Sequence, residues 1–209
     1  MTSPPPLLYD AYYHIFNRGN NRENIFFRES NYEYFINLYF KYIDPIAETY
    51  AYCLLRNHFH VLLKTKAKEE IIKALDESQQ PLDSKTLEVN YISRQFSNFF
   101  NAYAKAINNT FGRTGSLFQH PFGRKLITND HQLWNVIAYI HQNPQKHRFV
   151  KDFRDWKWSS YGVILDDEPT KLGRAVVLDL FGGKESYVEL NNQWVSDEND
   201  NWMIEGEYE

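Results

Sequence analysis

The stretch from Thr49 to Lys64 constrains the fold most, because strand-forming residues lie on both sides of a single polar pair, Arg56-Asn57. Two strands joined by so short a turn pair in opposite directions, which predicts an antiparallel hairpin. Side chains two positions apart leave a strand from the same face. His58 and His60 therefore point together to one face, while Phe59 between them points to the other.

The order of the predicted elements is strand, helix, strand, strand, helix, strand and a last helix. This order is typical of a ferredoxin-like α+β fold, an antiparallel sheet with two helices on one face. We expect the last helix to lie at the other face, opposite the histidines. Hydrophobic periodicity and turn signals place strands at 12–18, 49–55, 58–64 and 116–127 and helices at 30–42, 91–108 and from 129 or 130 onward, the last ended by Pro144.

Composition is that of a folded protein, with 43% hydrophobic and 24% charged residues in 209. No apolar run reaches the roughly 18 residues that a membrane span needs, and the N-terminus lacks a signal-peptide pattern. We therefore expect a cytoplasmic protein without a membrane partner. Residues 1–161 are predicted to form one domain. Residues 162–209 are predicted to form an acidic C-terminal extension that is partly disordered over its last dozen residues.

The charge of the chain is unevenly distributed. Residues 185–209 hold eight acidic side chains and no Lys or Arg, so the rest of the chain has 23 basic side chains against 19 acidic ones. The formal net charge of −4 thus hides a mildly basic body. A basic body suits a polyanionic ligand such as nucleic acid.

The last predicted helix carries further side chains that could complete a cation site with the two imidazoles. Tyr139 and Asn143 are four residues apart and so share a helix face. With His58 and His60, the amide oxygen of Asn143 would complete three neutral ligands and leave positions for phosphate or water, a set suited to Mn²⁺ and usable with Mg²⁺. Two alternatives stay open: Asn143 as a helix C-cap before a proline, and Gln142 as the ligand.

Tyr139 beside such a cation would be placed to attack a phosphodiester. The phenol oxygen would attack the phosphorus atom and release one end of the cut strand. The other end would stay attached to the tyrosine through a phosphotyrosine linkage. The linkage retains the energy of the phosphodiester, so the step is reversible and suits strand transfer.

Several segments together resemble the single-tyrosine HUH transposases, and among them the REP-associated tyrosine transposases. They cover about Tyr12 to Tyr161 and occur in the order of that family. One departure is Leu55-Arg56 before Asn57, where the family pattern has Met-Pro. The matching segments are Asn17-Arg18-Gly19-Asn20-Asn21, Asn57-His58-Phe59-His60, Gly112 to Gln119, Tyr139 to Pro144 and Trp156 to Tyr161.

The resemblance implies a metal-dependent endonuclease and strand transferase that acts on single-stranded DNA folded into hairpins, such as REP-like palindromes. It implies a 5′-phosphotyrosine intermediate on Tyr139, a divalent metal on His58, His60 and Asn143, and a monomer or homodimer. For DNA binding, the candidate side chains are Asn17, Arg18, Arg22, Arg113, Arg124 and Lys125, with Lys146, His147 and Arg148 after the tyrosine helix.

Rival interpretations concern both the residues and the function. His14 either supplements the site or faces solvent, and we favour solvent. His141 lies on another helix face from Tyr139 and is not expected to be a ligand. The alternative function from another class is a non-catalytic module that binds single-stranded nucleic acid on the same sheet. A metal-dependent hydrolase that uses water is a third.

Overall fold

The computed structural model describes residues 6–77 and 91–193 and gives an α+β fold around one four-stranded sheet. Two short 3-10 turns, Asn20–Arg22 and Phe153–Asp155, join some of the longer elements. The strands are β1 (Tyr12–Arg18), β2 (Ala47–Leu55), β3 (His58–Thr65) and β4 (Gly123–Ile127). The helices are α1 (Glu29–Ile43), α2 (Lys68–Glu77), α3 (Tyr91–Phe111), α4 (Asp130–Lys146), α5 (Ser160–Leu165), α6 (Arg174–Phe181) and α7 (Lys184–Asn192).

The sheet has the ferredoxin-like arrangement that the sequence predicts. Its strand order is β2-β3-β1-β4, and each neighbouring pair is antiparallel. The hairpin turn lies at Arg56-Asn57, with Leu55 paired to His58. The fold class is confirmed, and the histidine strand lies in the middle of the sheet, where both of its edges are paired.

Helices α1 and α3 cover one face of the sheet with aromatic side chains. Phe35 of α1 lies with its ring centre 5.1 Å from that of Phe59 and 4.8 Å from that of Phe99 of α3. Tyr103 is buried among them and donates a hydrogen bond to the Ile25 carbonyl at 2.8 Å. Burial of each large side chain stabilises the fold by about 1.5–3 kcal/mol. This core holds Phe59 in place and so fixes the histidines on the opposite face.

Helix α4 packs on that opposite face, as predicted. Val136 and Ile140 of α4 are fully buried together with Cys53 and Leu62 of the sheet. Cys53 is a buried free thiol, and its pKa is raised well above its ordinary value by burial. The face that carries the histidines is therefore covered by the helix that carries the predicted nucleophile.

Helix α7 is held against the outer side of α4 by a network of buried hydrogen bonds. His141 Nδ1 lies 2.7 Å from Asn191 Oδ1, and its Nε2 lies 2.9 Å from Ser160 Oγ. The Gln142 amide donates to the carbonyl oxygens of Asn191 at 2.9 Å and Gln193 at 2.7 Å. Burial lowers the pKa of His141 to about 4, so the ring is neutral at neutral pH. Residues up to 193 thus pack against the tyrosine helix, although the domain boundary at 161 stays a prediction.

We expect Asn191→Ala to destabilise the protein by about 2–4 kcal/mol, since it removes two buried hydrogen bonds and leaves His141 Nδ1 with only the longer contact to the Tyr187 hydroxyl at 3.4 Å. The free energy of unfolding from urea titration measures this. Asn192→Ala is the matched control, because Asn192 is exposed. Equal stability of the two variants would contradict the proposed locking role of Asn191.

Two predicted boundaries are wrong. The fourth strand begins at Gly123 rather than 116, because Pro121 has no N–H for the ladder. Helix α4 continues through Pro144 to Lys146, since proline removes a single donor near the helix end and the His147 N–H still reaches the Asn143 carbonyl at 2.9 Å. Asn143 is therefore inside the helix and is not its C-cap.

No helix of the described ranges is both long and apolar enough to cross a membrane. The predicted disorder of the last dozen residues falls outside the described ranges.

Candidate functional site

The tyrosine helix crosses the histidine strand, and four predicted side chains meet there. The ring centres of His58 and His60 lie 5.3 Å apart, and the ring of Tyr139 lies 5.6 Å from that of His60. The amide of Asn143 lies beside His58, close enough to affect its pKa. All four side chains are buried or nearly so. The sequence spacing that suggested this group therefore corresponds to real proximity.

The buried polar atoms of this group that have no hydrogen-bond partner include His58 Nε2 and Asn143 Oδ1. The other polar atom of each side chain forms a hydrogen bond. His58 Nδ1 lies 2.8 Å from Asn57 Oδ1, and Asn143 Nδ2 donates to the Tyr139 carbonyl at 3.0 Å. An acceptor at Nδ1 places the imidazole proton there and leaves a lone pair on Nε2. Both side chains are thus oriented by local contacts and present an acceptor atom to a shared space.

Burial keeps the imidazoles neutral. It lowers the pKa of His58 to about 3, assisted by the nearby His147 and Arg18, while the Asn143 amide acts weakly in the opposite direction. The pKa of His60 is lowered well below its ordinary value by burial and by the neighbouring His14 and His58. Neutral imidazoles are the form that binds metal ions.

His14 is buried in the site, and our expectation that it faces solvent is wrong. It pairs across the sheet with Leu62 on β3, which places it on the face of His60. Its Nε2 lies 3.0 Å from His60 Nδ1, and the two rings stack with centres 5.2 Å apart. Burial, with the nearby Lys125, lowers its pKa to about 3. A proton on His60 Nδ1 donated to His14 would leave His60 Nε2 as the acceptor that faces the site.

We expect His14→Ala to weaken Mn²⁺ binding about ten-fold, because His60 loses the contact that orients its ring. The Mn²⁺ affinity is measured by titration, with electron paramagnetic resonance as the detection method. This measurement requires no DNA cleavage. His131→Ala, an exposed histidine of α4, is the control. Unchanged Mn²⁺ affinity in His14→Ala would show that His60 is oriented without His14.

The residues of the site fit a divalent cation. Among residues 6–77 and 91–193, no group of three His, Cys, Asp or Glu side chains is arranged to hold a metal ion. A cation at the histidine pair would therefore need the Asn143 oxygen as its third protein ligand. This oxygen is buried and has no hydrogen-bond partner. The donor set of two imidazoles and one amide suits Mn²⁺ or Mg²⁺ more than a structural zinc ion. The amide of Gln142, the alternative ligand, is bonded instead to the end of α7.

Tyr139 is sheltered from bulk water and lies next to a cation. Only 3% of the residue is exposed. Its ring lies edge-on to His14 and His60, and the Lys146 ammonium is 4.8 Å from its ring centre. The Tyr139 ring is thus shielded from bulk solvent and lies against two histidine rings and the Lys146 side chain.

The predicted DNA-binding side chains divide between two parts of the fold. Arg18 pairs directly with His58 across the sheet, and Lys125 pairs with His14, so both lie at the site. His147 joins them, with its ring 4.7 Å from that of His58.

The other candidates have different neighbours. Asn17 pairs with Phe59 on the opposite face and accepts a hydrogen bond from the Arg18 N–H at 2.8 Å. Arg113 forms an ion pair with Glu23 at 2.5 Å. Arg124 lies over the Phe122 ring and reaches Ser93 Oγ, and Arg22 is exposed in the turn after β1. A DNA contact by any of these four stays a prediction.

Comparison with known proteins gives a curated relative and a solved structure to set beside this geometry. No family model matches the chain. A Haemophilus influenzae protein that bears the name of a REP-associated tyrosine transposase is 28% identical over 116 residues, which are 54% of this chain and 58% of the relative. The matched part of the chain thus spans little more than half of the relative's length.

A solved structure of a REP-associated tyrosine transposase bound to a REP hairpin has a similar fold. Its TM-score is 0.58 at 17% identity, and the match covers 79% of this chain and 86% of that one. An identity this low shows a shared fold only. Both comparisons reach REP-associated tyrosine transposases, and the predicted resemblance to them is confirmed.

Proposed function

We propose that this protein cuts and rejoins single-stranded DNA through a covalent bond to Tyr139. The observation that carries the proposal is the meeting of Tyr139 with His58, His60 and Asn143 on one face of the sheet. A non-catalytic module would not need two oriented acceptor atoms buried beside a sheltered phenol. The resemblance in sequence and fold supports the same class of enzyme.

In the proposed site, His58, His60 and Asn143 hold the divalent cation, Mg²⁺ or Mn²⁺. Polarisation of the scissile phosphate would come from this cation when it is bound. The protein's own contribution is the orientation of these ligands by Asn57, His14 and the Tyr139 carbonyl. A site oriented in advance needs little rearrangement when the DNA enters.

The proposed reaction exchanges one phosphate ester for another. The Tyr139 oxygen forms a bond to phosphorus, and the bond from phosphorus to the 3′ oxygen of the preceding nucleotide breaks. The phenol loses one proton and the departing 3′ hydroxyl gains one, so the exchange is balanced. The 5′ end stays attached to Tyr139 until a 3′ hydroxyl attacks and reverses the step. Lys146, whose ammonium lies 4.8 Å from the Tyr139 ring centre, would assist by stabilising negative charge on the phenol oxygen.

The proposed substrate is a DNA strand folded into a hairpin, as the solved relative is bound to a REP hairpin. Arg18, Lys125 and His147 surround the site and would meet its phosphates. Such contacts weaken as salt concentration rises. Whether a monomer or a homodimer acts on the DNA stays a prediction.

Incubation with a hairpin-containing single strand and Mn²⁺ tests the proposal. We expect a protein–DNA adduct that survives denaturing electrophoresis and that EDTA prevents. A protein that binds the hairpin tightly but never forms an adduct would be the non-catalytic module. Cleavage without an adduct would indicate a hydrolase that uses water.

A further inference from the structure

Three buried polar side chains behind the tyrosine helix form a hydrogen-bonded group, the His141 network, which has no role in the reaction proposed above. Its members are Ser160 at the start of α5, His141 of α4 and Asn191 near the end of α7. All three residues are fully buried. Ser160 Oγ lies 2.9 Å from His141 Nε2, and His141 Nδ1 lies 2.7 Å from Asn191 Oδ1. The network thus joins three helices through the ring of one histidine.

The direction of each hydrogen bond in the network is determined at its α7 end. The Asn191 amide nitrogen donates to the Tyr187 carbonyl at 2.8 Å, so Asn191 Oδ1 faces His141 and can only accept. The neutral ring of His141 therefore carries its proton on Nδ1 and a lone pair on Nε2. Ser160 then donates its hydroxyl proton to this lone pair. The Ser160 oxygen also accepts the N–H of Tyr52 at 2.8 Å, so the network ends on the backbone of β2.

Serine, histidine and asparagine in this order resemble a hydrolytic triad, but their burial excludes a substrate from Ser160. The rings of Tyr161 and Tyr187 pack edge-on against His141, with centres 5.7 and 5.9 Å from its own. A buried polar network in which every member is satisfied makes one arrangement rigid. The effect of the His141 network is therefore on the elements that it joins.

His141 lies between the two residues of α4 that the proposed reaction needs. Tyr139 precedes it by two positions and Asn143 follows it by two, and two positions of an α-helix correspond to a turn of about 200°. His141 therefore leaves α4 on the side opposite to both. Its network is attached to β2, which is the neighbour of the histidine strand β3 in the sheet. Contacts at the rear of α4 thus fix the rotation of the helix relative to that strand.

Small rotations of α4 would displace the groups of the site. The outer groups of a helix lie about 5–6 Å from its axis, so a rotation of about 10° moves them by about 1 Å. A displacement of about 1 Å can lower a rate on the order of 100-fold. Tyr139 and Asn143 would move together, because the Asn143 amide donates to the Tyr139 carbonyl at 3.0 Å.

We propose that His141 is a positioning residue for the nucleophile. Its hydrogen bonds to Ser160 and Asn191 set the rotation of α4 and so hold the Tyr139 oxygen in line with a phosphate at the histidine strand. This inference rests on the proposed function and deepens it, because it names a residue that determines the rate of the covalent step from behind the helix. The affinity for hairpin DNA should not depend on His141.

Single-turnover adduct formation by the full chain, with a saturating hairpin-containing single strand and saturating Mn²⁺, tests this inference. His141→Phe keeps a ring and loses both hydrogen bonds, whereas His141→Gln keeps an acceptor that can reach Ser160. We expect the rate to fall about 100-fold in His141→Phe and about ten-fold in His141→Gln, with DNA affinity changed less than about two-fold. Tyr103→Phe is the matched control, because it also loses a buried hydrogen bond, but on the other face of the sheet. It should keep the unaltered rate.

The rates are compared at a temperature at which circular dichroism shows each protein to be folded. Equal rates in the unaltered protein and both His141 variants would overturn the inference. A loss of DNA affinity as large as the loss of rate would also overturn it. If His141→Phe does not fold, His141→Gln and Ser160→Ala decide the question, and both should be slower than Tyr103→Phe. An unaltered protein that forms no adduct rejects the proposed function together with this inference, whereas equally fast adduct formation in all variants rejects the inference alone.

Discussion

Replacement of Tyr139 by Phe is expected to abolish the covalent protein–DNA adduct, with a loss of more than about 10³-fold in its rate of formation. The change removes only the phenol oxygen. The ring keeps its edge-on contacts with His14 and His60, so the core and the site should retain their shape. DNA affinity should change by less than about two-fold, since the oxygen contributes to the reaction and not to the phosphate contacts.

The Tyr139→Phe experiment needs adduct formation and DNA binding measured on the same preparation. Denaturing electrophoresis with labelled DNA gives the first, and anisotropy gives the second. Tyr52→Phe is the matched control, because Tyr52 is partly buried and lies on the α1 side of the sheet. An adduct formed by Tyr139→Phe at an undiminished rate would identify another nucleophile.

His58→Ala has the second largest expected effect, a fall of at least about 100-fold in adduct formation together with loss of Mn²⁺ binding. His58 presents a buried Nε2 without a hydrogen-bond partner, which is the atom that would bind the metal. We expect Mn²⁺ to raise the melting temperature of the unaltered protein by binding to its folded state, and this rise should disappear in His58→Ala.

Thermal unfolding of His58→Ala with and without Mn²⁺ separates the loss of metal binding from any change in the stability of the metal-free protein. His131→Ala, at an exposed position of α4, should keep the metal-dependent rise. A His58→Ala variant that still gains stability from Mn²⁺ would show that the cation binds elsewhere. The stability of each variant without metal is the reference from which its metal-dependent rise is measured.

The local part of the fold could be predicted from the sequence. The strand at 12–18 was predicted to the residue, and the hairpin turn at Arg56-Asn57 and the helix face shared by Tyr139 and Asn143 follow from short-range periodicity. Such patterns depend only on neighbours in the chain.

What could not be predicted depends on contacts between distant segments. The place of His14 follows from strand register, which brings it to His60, 46 residues along the chain. The attachment of α7 to α4 depends on His141 meeting Asn191, and the polar sequence around 191 gave no periodic signal.

Mass spectrometry of the nuclease-trimmed adduct tests the central claim most directly. The account predicts a peptide in which Tyr139 carries a 5′-linked nucleotide, formed only when a divalent cation is present. A nucleotide attached to any other side chain, or DNA cleaved in full with Tyr139 unmodified at every time point, would contradict it.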